Sequence, residues 1–401
     1  MFQLRHVCQL RRTRRHLPGS GRPAVTIKRQ IADSDLRWET RLLLTVTAIL
    51  VAFGIANTYS ASSFIAPGET GVGFAARQLT GALVGGLLLS IVARVDYHLW
   101  QRFAWPLLAL TVGALVIPLL PFTYSIAPVI NGARRWVDIG PINFQPSEVA
   151  KLSVVVWCAM LAVKKGDQVR KFKKGVMPFL VVIGLVSALI LFEPNLSMAA
   201  IVALLGGIVL FAAGAKIGHF VLLGVAGVLV LIQQIGSADY RLARALTFLN
   251  PEQASAGAMY QVKQSLMGLG SGGIFGVGFG QGHQKLGYLP FAYSDFLFSS
   301  IGEEWGFLGI VVVVGLYGTY LWLGFRIART AKDKFGTLLA AGLTAAVGIT
   351  AVLHMGVTLA VLPTTGLPLP FMSYGRTSLV ITLAATGIVV NIGRQRRKAR
   401  A

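Results

Sequence analysis

The sequence predicts an all-α, polytopic integral membrane protein, with about ten transmembrane helices and a large extracytoplasmic loop between spans seven and eight. Three observations predict it. Apolar residues make up 54% of the 401-residue chain and charged residues only 13%, against about 25% in a soluble domain. The mean hydropathy is +0.67. The apolar residues also fall in uninterrupted runs, long enough to cross a bilayer at roughly 20 residues each.

Residues 1–41 are Arg-rich and barely apolar, including RRTRRH and PGSGRP. They are expected to form a disordered cytoplasmic tail able to touch anionic lipid heads. The basic region is too long for a signal peptide, and the run after it is long enough to span. The transmembrane domain is placed at 42–393, followed by a second basic tail at 394–401. Apolar runs mark its spans at 42–59, 74–93, 103–122, 149–163, 176–192, 196–213, 217–235, 296–325, 338–361 and 378–392. The fourth is short and is expected to reach back to Pro146, a residue suited to a first helical turn.

The connections divide by charge. RVDYHLWQR, KKGDQVRKFKK, AKIGH, RIARTAKDK and the tail GRQRRKARA are basic, as cytoplasmic segments are. An even number of spans puts all of them, and both termini, on one side. The net charge of +22 therefore reflects membrane orientation, and no nucleic-acid partner is expected. Two cysteines, Cys8 and Cys158, exclude a disulfide framework, and the six histidines show no metal-ligand spacing.

Two outward loops carry charges of their own. Loop 125–147 contains NGARRWVDIGPINFQPSE. Its Arg134 and Arg135 offer planar forks for phosphate oxygens, or serve as a headgroup anchor. Glu148 and Lys151 open span four three residues apart, so they share a face, either as a structural ion pair or as the lining of a polar cavity. Loop 236–294 is about 60 residues long and Gly-rich, and a connection of that length is usually functional. It ends in GQGHQKLGYLPFAYSDFLFSSIGEEWGFLG, which brings Lys285, Asp295, Glu303 and Glu304 to the membrane boundary. Each charge at mid-bilayer costs roughly 2.5–3.5 kcal/mol, which makes such residues functional candidates. Ser294 is the expected N-cap of span eight, with Asp295 in the first turn, as either a catalytic base or a simple helix-terminal acid. Glu193 precedes Pro194 between spans five and six, where a turn-orienting role is favoured. Segment 362–378, LPTTGLPLPFMSYGRTS, has three prolines, cannot be continuous helix, and is expected to line a cavity.

Taken together, YSASS, NGARRW, FQPSEVAKL, EPNLSMA, YQVKQSLMGLGSGGIFGVGFGQGHQK, YSDFLFSSIGEEWGFLG and LPTTGLPLPFMSYG resemble, in order, the motifs of the SEDS family of cell-wall polymerases. The resemblance covers most of the chain from residue 59 onward. It implies polymerisation of lipid II into β-1,4 glycan strands of peptidoglycan on the outer face of the bacterial inner membrane. The implied partners are a class B penicillin-binding protein transpeptidase, other divisome proteins and membrane lipids. The family's key acid falls at Asp295, and the Glu and Lys of its FQPSE motif fall at Glu148 and Lys151. Arg134, Arg135, Lys285, Gln281 and Ser373 complete the expected substrate-binding set. The chain departs from the family where an acid after LP is Phe291, an Asp after EP is Asn195, a Gly-Thr is Ser197-Met198, and the second Gly of SYGG is Arg376. GQGHQKLGYLP with IGEE favours the division branch, whereas Thr365 is closer to the elongation branch.

The implied donor is α-linked and the product β, so the expected chemistry is a single inverting displacement with Asp295 as general base. Pyrophosphate leaves without a proton but needs positive charge, from Arg134, Arg135, Lys151, Lys285 or a divalent cation such as Mg2+ or Mn2+. The alternatives are a lipid II flippase and a non-enzymatic divisome scaffold.

Overall fold

The computed structural model describes residues 23–63, 71–130, 132–140, 142–237 and 256–395, together with Leu242 and Phe248. Among these, eight helices are long and apolar enough to cross a membrane. The chain runs through α1 (Pro23–Ala61), α2 (Gly71–Val92), a short α3 (His98–Arg102) and α4 (Ala104–Val116). After a two-stranded hairpin come α5 (Pro146–Lys165), α6 (Met177–Phe192), α7 (Leu196–Ala212) and α8 (Ile217–Gly236). Then follow α9 (Ala256–Ser271), α10 (Leu297–Arg329), α11 (Lys334–Thr358) and α12 (Arg376–Arg394). Two shorter apolar helices, Ala104–Leu119 and Leu196–Ala212, hold the third and sixth expected spans. All ten apolar runs are thus helical.

Local chemistry explains the helix ends. Helix α5 starts with Pro146 at its first turn and Glu148 beside the positive end of its dipole; it finishes with Lys164, Lys165 and a left-handed Gly166. Asn195 caps α7 by accepting from Met198 N at 3.3 Å, so the departure from Asp preserves the cap. Asp333 caps α11 through Gly336 N at 2.8 Å.

Helix α5 occupies the centre, buried along nearly its whole length and packed against α4, α6, α7, α11 and α12. Helix α12 lies along α2, and α10 against α1 and α11. Helix α8 has no buried residue; it rests on α7 through Phe220 against Phe211 and on the loop before α6 through His219 against Phe172, and most of its apolar surface points outward.

The basic loops gather at one end of the bundle. There Arg326 pairs with Glu39 and lies over the rings of Trp38 and Trp322 at 5.4 and 5.3 Å. Tyr97 donates to Asp333, and His98 bridges Asp333 at 3.1 Å and Asp96 at 2.7 Å. Bonds from His98 hold Asp96 below the usual carboxylate range. Burial opposes the charge of Asp333, but Tyr97, the Gly336 N–H and His98 together hold it low as well.

Three boundaries differ from expectation. Helix α1 begins at Pro23, so 23–41 is helical rather than disordered, while 1–22 of the expected tail lies outside the described residues. Loop 125–147 contains a hairpin, Val137–Ile139 paired antiparallel with Ile142–Phe144. Loop 236–294 contains α9, although much of its first half lies outside the described residues.

Candidate active site

The irregular segment 362–378 is the common neighbour of the candidate residues. It is non-helical up to Gly375 and is tied down on several sides. Gln78 of α2 donates to Ser373 O at 2.9 Å and accepts from Gly375 N at 3.2 Å. His354 of α11 bonds Leu367 O at 2.7 Å through Nδ1, and Tyr317 of α10 donates to Pro370 O. Thr377 donates to Asn143 O of the hairpin at 3.1 Å. The bonds from Gln78, His354 and Tyr317 satisfy backbone that a helix would have satisfied by itself, which is what allows such a chain at membrane depth.

Asp295 faces this segment. A Cβ added at Gly366 would lie 3.7 Å from Asp295 Oδ2, so the carboxylate rests beside the TTG turn. The acid is half-buried. Its backbone is held by a tight turn in which the N–H groups of Ser294, Asp295 and Phe296 donate to Phe291 O at 3.1, 3.0 and 3.4 Å. Phe291 and Phe371 both have left-handed backbones, with φ of 58° and 67°. For a bulky residue that conformation costs on the order of 1–3 kcal/mol and is kept only where the surroundings impose it. Tyr374 N donates to Tyr293 O at 3.0 Å, and the rings of Phe74, Tyr293 and Tyr374 cluster at 4.8–5.7 Å. The expected N-cap at Ser294 is corrected: α10 begins at Leu297 with Phe296 at the cap position and no side-chain cap bond. Asp295 therefore stands before the helix, on the turn.

The other candidates divide into two groups. The Glu148–Lys151 pair, 2.8 Å apart and nearly buried, reaches the same region. Lys151 lines a cavity of about 30 Å3 with Pro370 and Thr382. Arg135 is the positive charge facing Glu193. Arg134, by contrast, is engaged by its own loop: it donates to Ala127 O at 3.0 Å, Leu120 O at 3.1 Å and Thr123 Oγ1 at 2.8 Å, with its guanidinium 4.0 Å from the Tyr124 ring. The two adjacent arginines thus face different groups. Ser373 is likewise engaged, its Oγ accepting from Leu369 N at 2.9 Å. Gln281 is exposed.

Lys285 is buried away from Asp295. Its Nζ lies 2.9 Å from Glu304 Oε1 and 3.0 Å from Ser60 Oγ, so the pair fastens the loop to α1. Glu303 accepts from the N–H groups of His283 and Gln284 at 2.7 and 3.3 Å. Both acids belong to the short outer piece of α10, which Gly306 (φ 67°, ψ −163°) separates from the spanning piece. The break is bridged by four backbone bonds: Val277 N to Glu303 O, Gly278 N to Glu304 O, Phe307 N to Gly273 O and Leu308 N to Ile274 O, at 2.9–3.2 Å. Gly306 and Gly276 are both left-handed and pressed backbone to backbone, so a Cβ on either would overlap the other strand.

Sequence reasoning undervalued two residues. Arg77, the lone charge on α2, is exposed and lies 5.7 Å over the Phe74 ring beside Tyr293. Its position at the end of α2 far from the basic loops was the available signal. Glu193 is 1% exposed with neither carboxylate oxygen hydrogen-bonded, so it does not serve the expected turn-orienting role. Burial pushes its pKa up to about 8, against the pull of Arg135. An acid raised in the folded state from the ordinary 4.5 stabilises fully below that ordinary value, and the contribution is lost as pH rises through about 8. Glu193→Gln should therefore match wild type only below about pH 4.5 and melt progressively further above it as pH rises to about 8, as thermal scans across that range would show.

Among the described residues no three His, Cys, Asp or Glu side chains converge on a metal position. The chemistry proposed for the protein is derived from its side chains alone.

These features define a polytopic helical membrane protein whose irregular, proline-rich segment and strained turn hold a carboxylate at the end opposite its basic loops. The chain belongs to the FtsW/RodA/SpoVE family, whose sequence model, described as cell cycle protein, matches residues 40–398. A probable peptidoglycan glycosyltransferase FtsW of Trichlorobacter lovleyi is 40% identical, covering 90% of this chain and 94% of its own. The stage V sporulation protein E of Bacillus subtilis is 35% identical over 89% of this chain and 97% of its own. A solved peptidoglycan synthase complex that coordinates polymerisation and crosslinking contains a chain with TM-score 0.72 and 30% identity, covering 88% of this chain and 97% of that one. The rod shape determining protein RodA of Thermus thermophilus has TM-score 0.64 and 29% identity, over 88% of this chain and 96% of its own.

Proposed function

We propose that this protein is a peptidoglycan glycosyltransferase of the bacterial cytoplasmic membrane, polymerising lipid II into β-1,4 glycan during division. The observation that carries the reading is the half-buried Asp295 carboxylate on a strained turn against segment 362–378. In this reading Asp295 takes the proton from the 4-hydroxyl of the acceptor sugar. That oxygen forms the new bond to the donor's anomeric carbon, whose bond to pyrophosphate breaks, and the electron pair leaves with the undecaprenyl pyrophosphate. The anion needs no acid to leave, only positive charge near it, for which Arg135, Arg77 and Lys151 are the candidates.

Both termini lie on the cytoplasmic side and the acid on the outer face, a placement supported by the gathering of basic loops at the opposite end. A class B penicillin-binding protein supplies the transpeptidase, a partnership supported by the likeness to the solved synthase complex. The test is to reconstitute the full chain in vesicles with lipid II, with and without such a partner. Lengthening glycan supports the polymerase. Lipid II that only changes leaflet, with no bond made, points to a transporter and removes the reading.

A further inference from the structure

At the basic end, a groove of about 530 Å3 opens between α4, α5 and α6, far along the bundle from Asp295. Its walls are apolar and aromatic, with Trp105, Trp157 and Val181, and its rim is polar, with Lys164, Lys165 and Gln168. The volume falls in the range of small-molecule sites. Trp105 and Trp157 meet edge to face at 5.4 Å, which gives one wall a fixed shape.

Two further features bear on what would fill it. Trp157 is only 1% exposed, whereas Trp105 is 56% exposed and supplies most of the open aromatic surface. Neither Lys164 nor Lys165 has a carboxylate within ion-pair distance among the described residues. The surrounding stretch 164–174 holds six basic residues and one acid. A groove with an apolar, aromatic wall and a cationic lip matches an amphiphile with an anionic head.

The geometry points to a binding site for an anionic phospholipid on the cytoplasmic side, with a chain along Trp105, Trp157 and Val181 and the phosphate on Lys164, Lys165 and Gln168. It is separate from the catalytic site and does not depend on the reading of Asp295.

The test is native mass spectrometry of the full chain after equilibration with equal amounts of phosphatidylglycerol and phosphatidylcholine of the same chains. Wild type should retain one phosphatidylglycerol in preference. Lys164→Gln with Lys165→Gln should weaken that preference by about thirty-fold, roughly fivefold for each charge. Val181→Trp, which fills the groove without touching a charge, should abolish it. Retention of the two lipids in equal amounts would overturn the proposal, and so would an unchanged preference in the lysine variant. Displacement of the lipid by millimolar inorganic phosphate would also overturn it, since a phosphate site needing no tail is a different site. If the lysine variant does not fold, Val181→Trp decides alone, because undiminished retention there excludes the groove.

Discussion

Asp295→Asn should reduce glycan polymerisation from lipid II by about 10²–10⁴-fold, the usual contribution of a positioned general base. Expression and melting temperature should stay near wild type. Asn has the shape of Asp and keeps an oxygen for local bonds, but it cannot accept the acceptor's proton at neutral pH. The turn is held by backbone N–H groups donating to Phe291 O, and these bonds survive the substitution. A helix-terminal acid would behave differently. Its loss would lower stability by about 1 kcal/mol and leave turnover nearly unchanged. Glycan length on gels, read beside thermal scans of the same preparations, separates the two, and full activity in Asp295→Asn would end the catalytic assignment.

Lys285→Ala should be the more damaging change to the fold. The ammonium is 4% exposed and its partner Glu304 3%, so removing it leaves a carboxylate in a dry site with only the Ser60 hydroxyl, which donates to it at 2.5 Å. Breaking one side of such a buried pair costs about 3–5 kcal/mol. Neutralising both partners, with Lys285→Met and Glu304→Gln, should restore most of that loss, because no uncompensated charge remains. Melting temperatures of Lys285→Met, Glu304→Gln and the double variant form a cycle. Independent, additive losses would show that the pair does not act as one unit.

The transmembrane organisation was legible because hydropathy is a local property: each of the ten runs reports its own solvent and needs no knowledge of its neighbours. The likeness to the polymerase family was legible for a similar reason, being carried by short motifs in order. Partnerships were not. Lys285 and Arg134 were read as cations open to substrate because a sequence shows a charge but not what it already holds. Here their partners are Glu304 on α10 and the carbonyls of the arginine's own loop. The meeting of Asp295 with Gly366 joins two positions far apart in the chain, and no periodicity encodes it. The break at Gly306 was also invisible, since a lone glycine inside an apolar run is compatible with an unbroken helix.

That break has a mechanical consequence. Because segment 273–278 bonds to both sides of the Gly306 corner, and Glu303 and Glu304 tie the outer piece to the turn around Lys285, the corner is cross-braced, and a side chain at Gly276 or Gly306 would prise the two backbones apart.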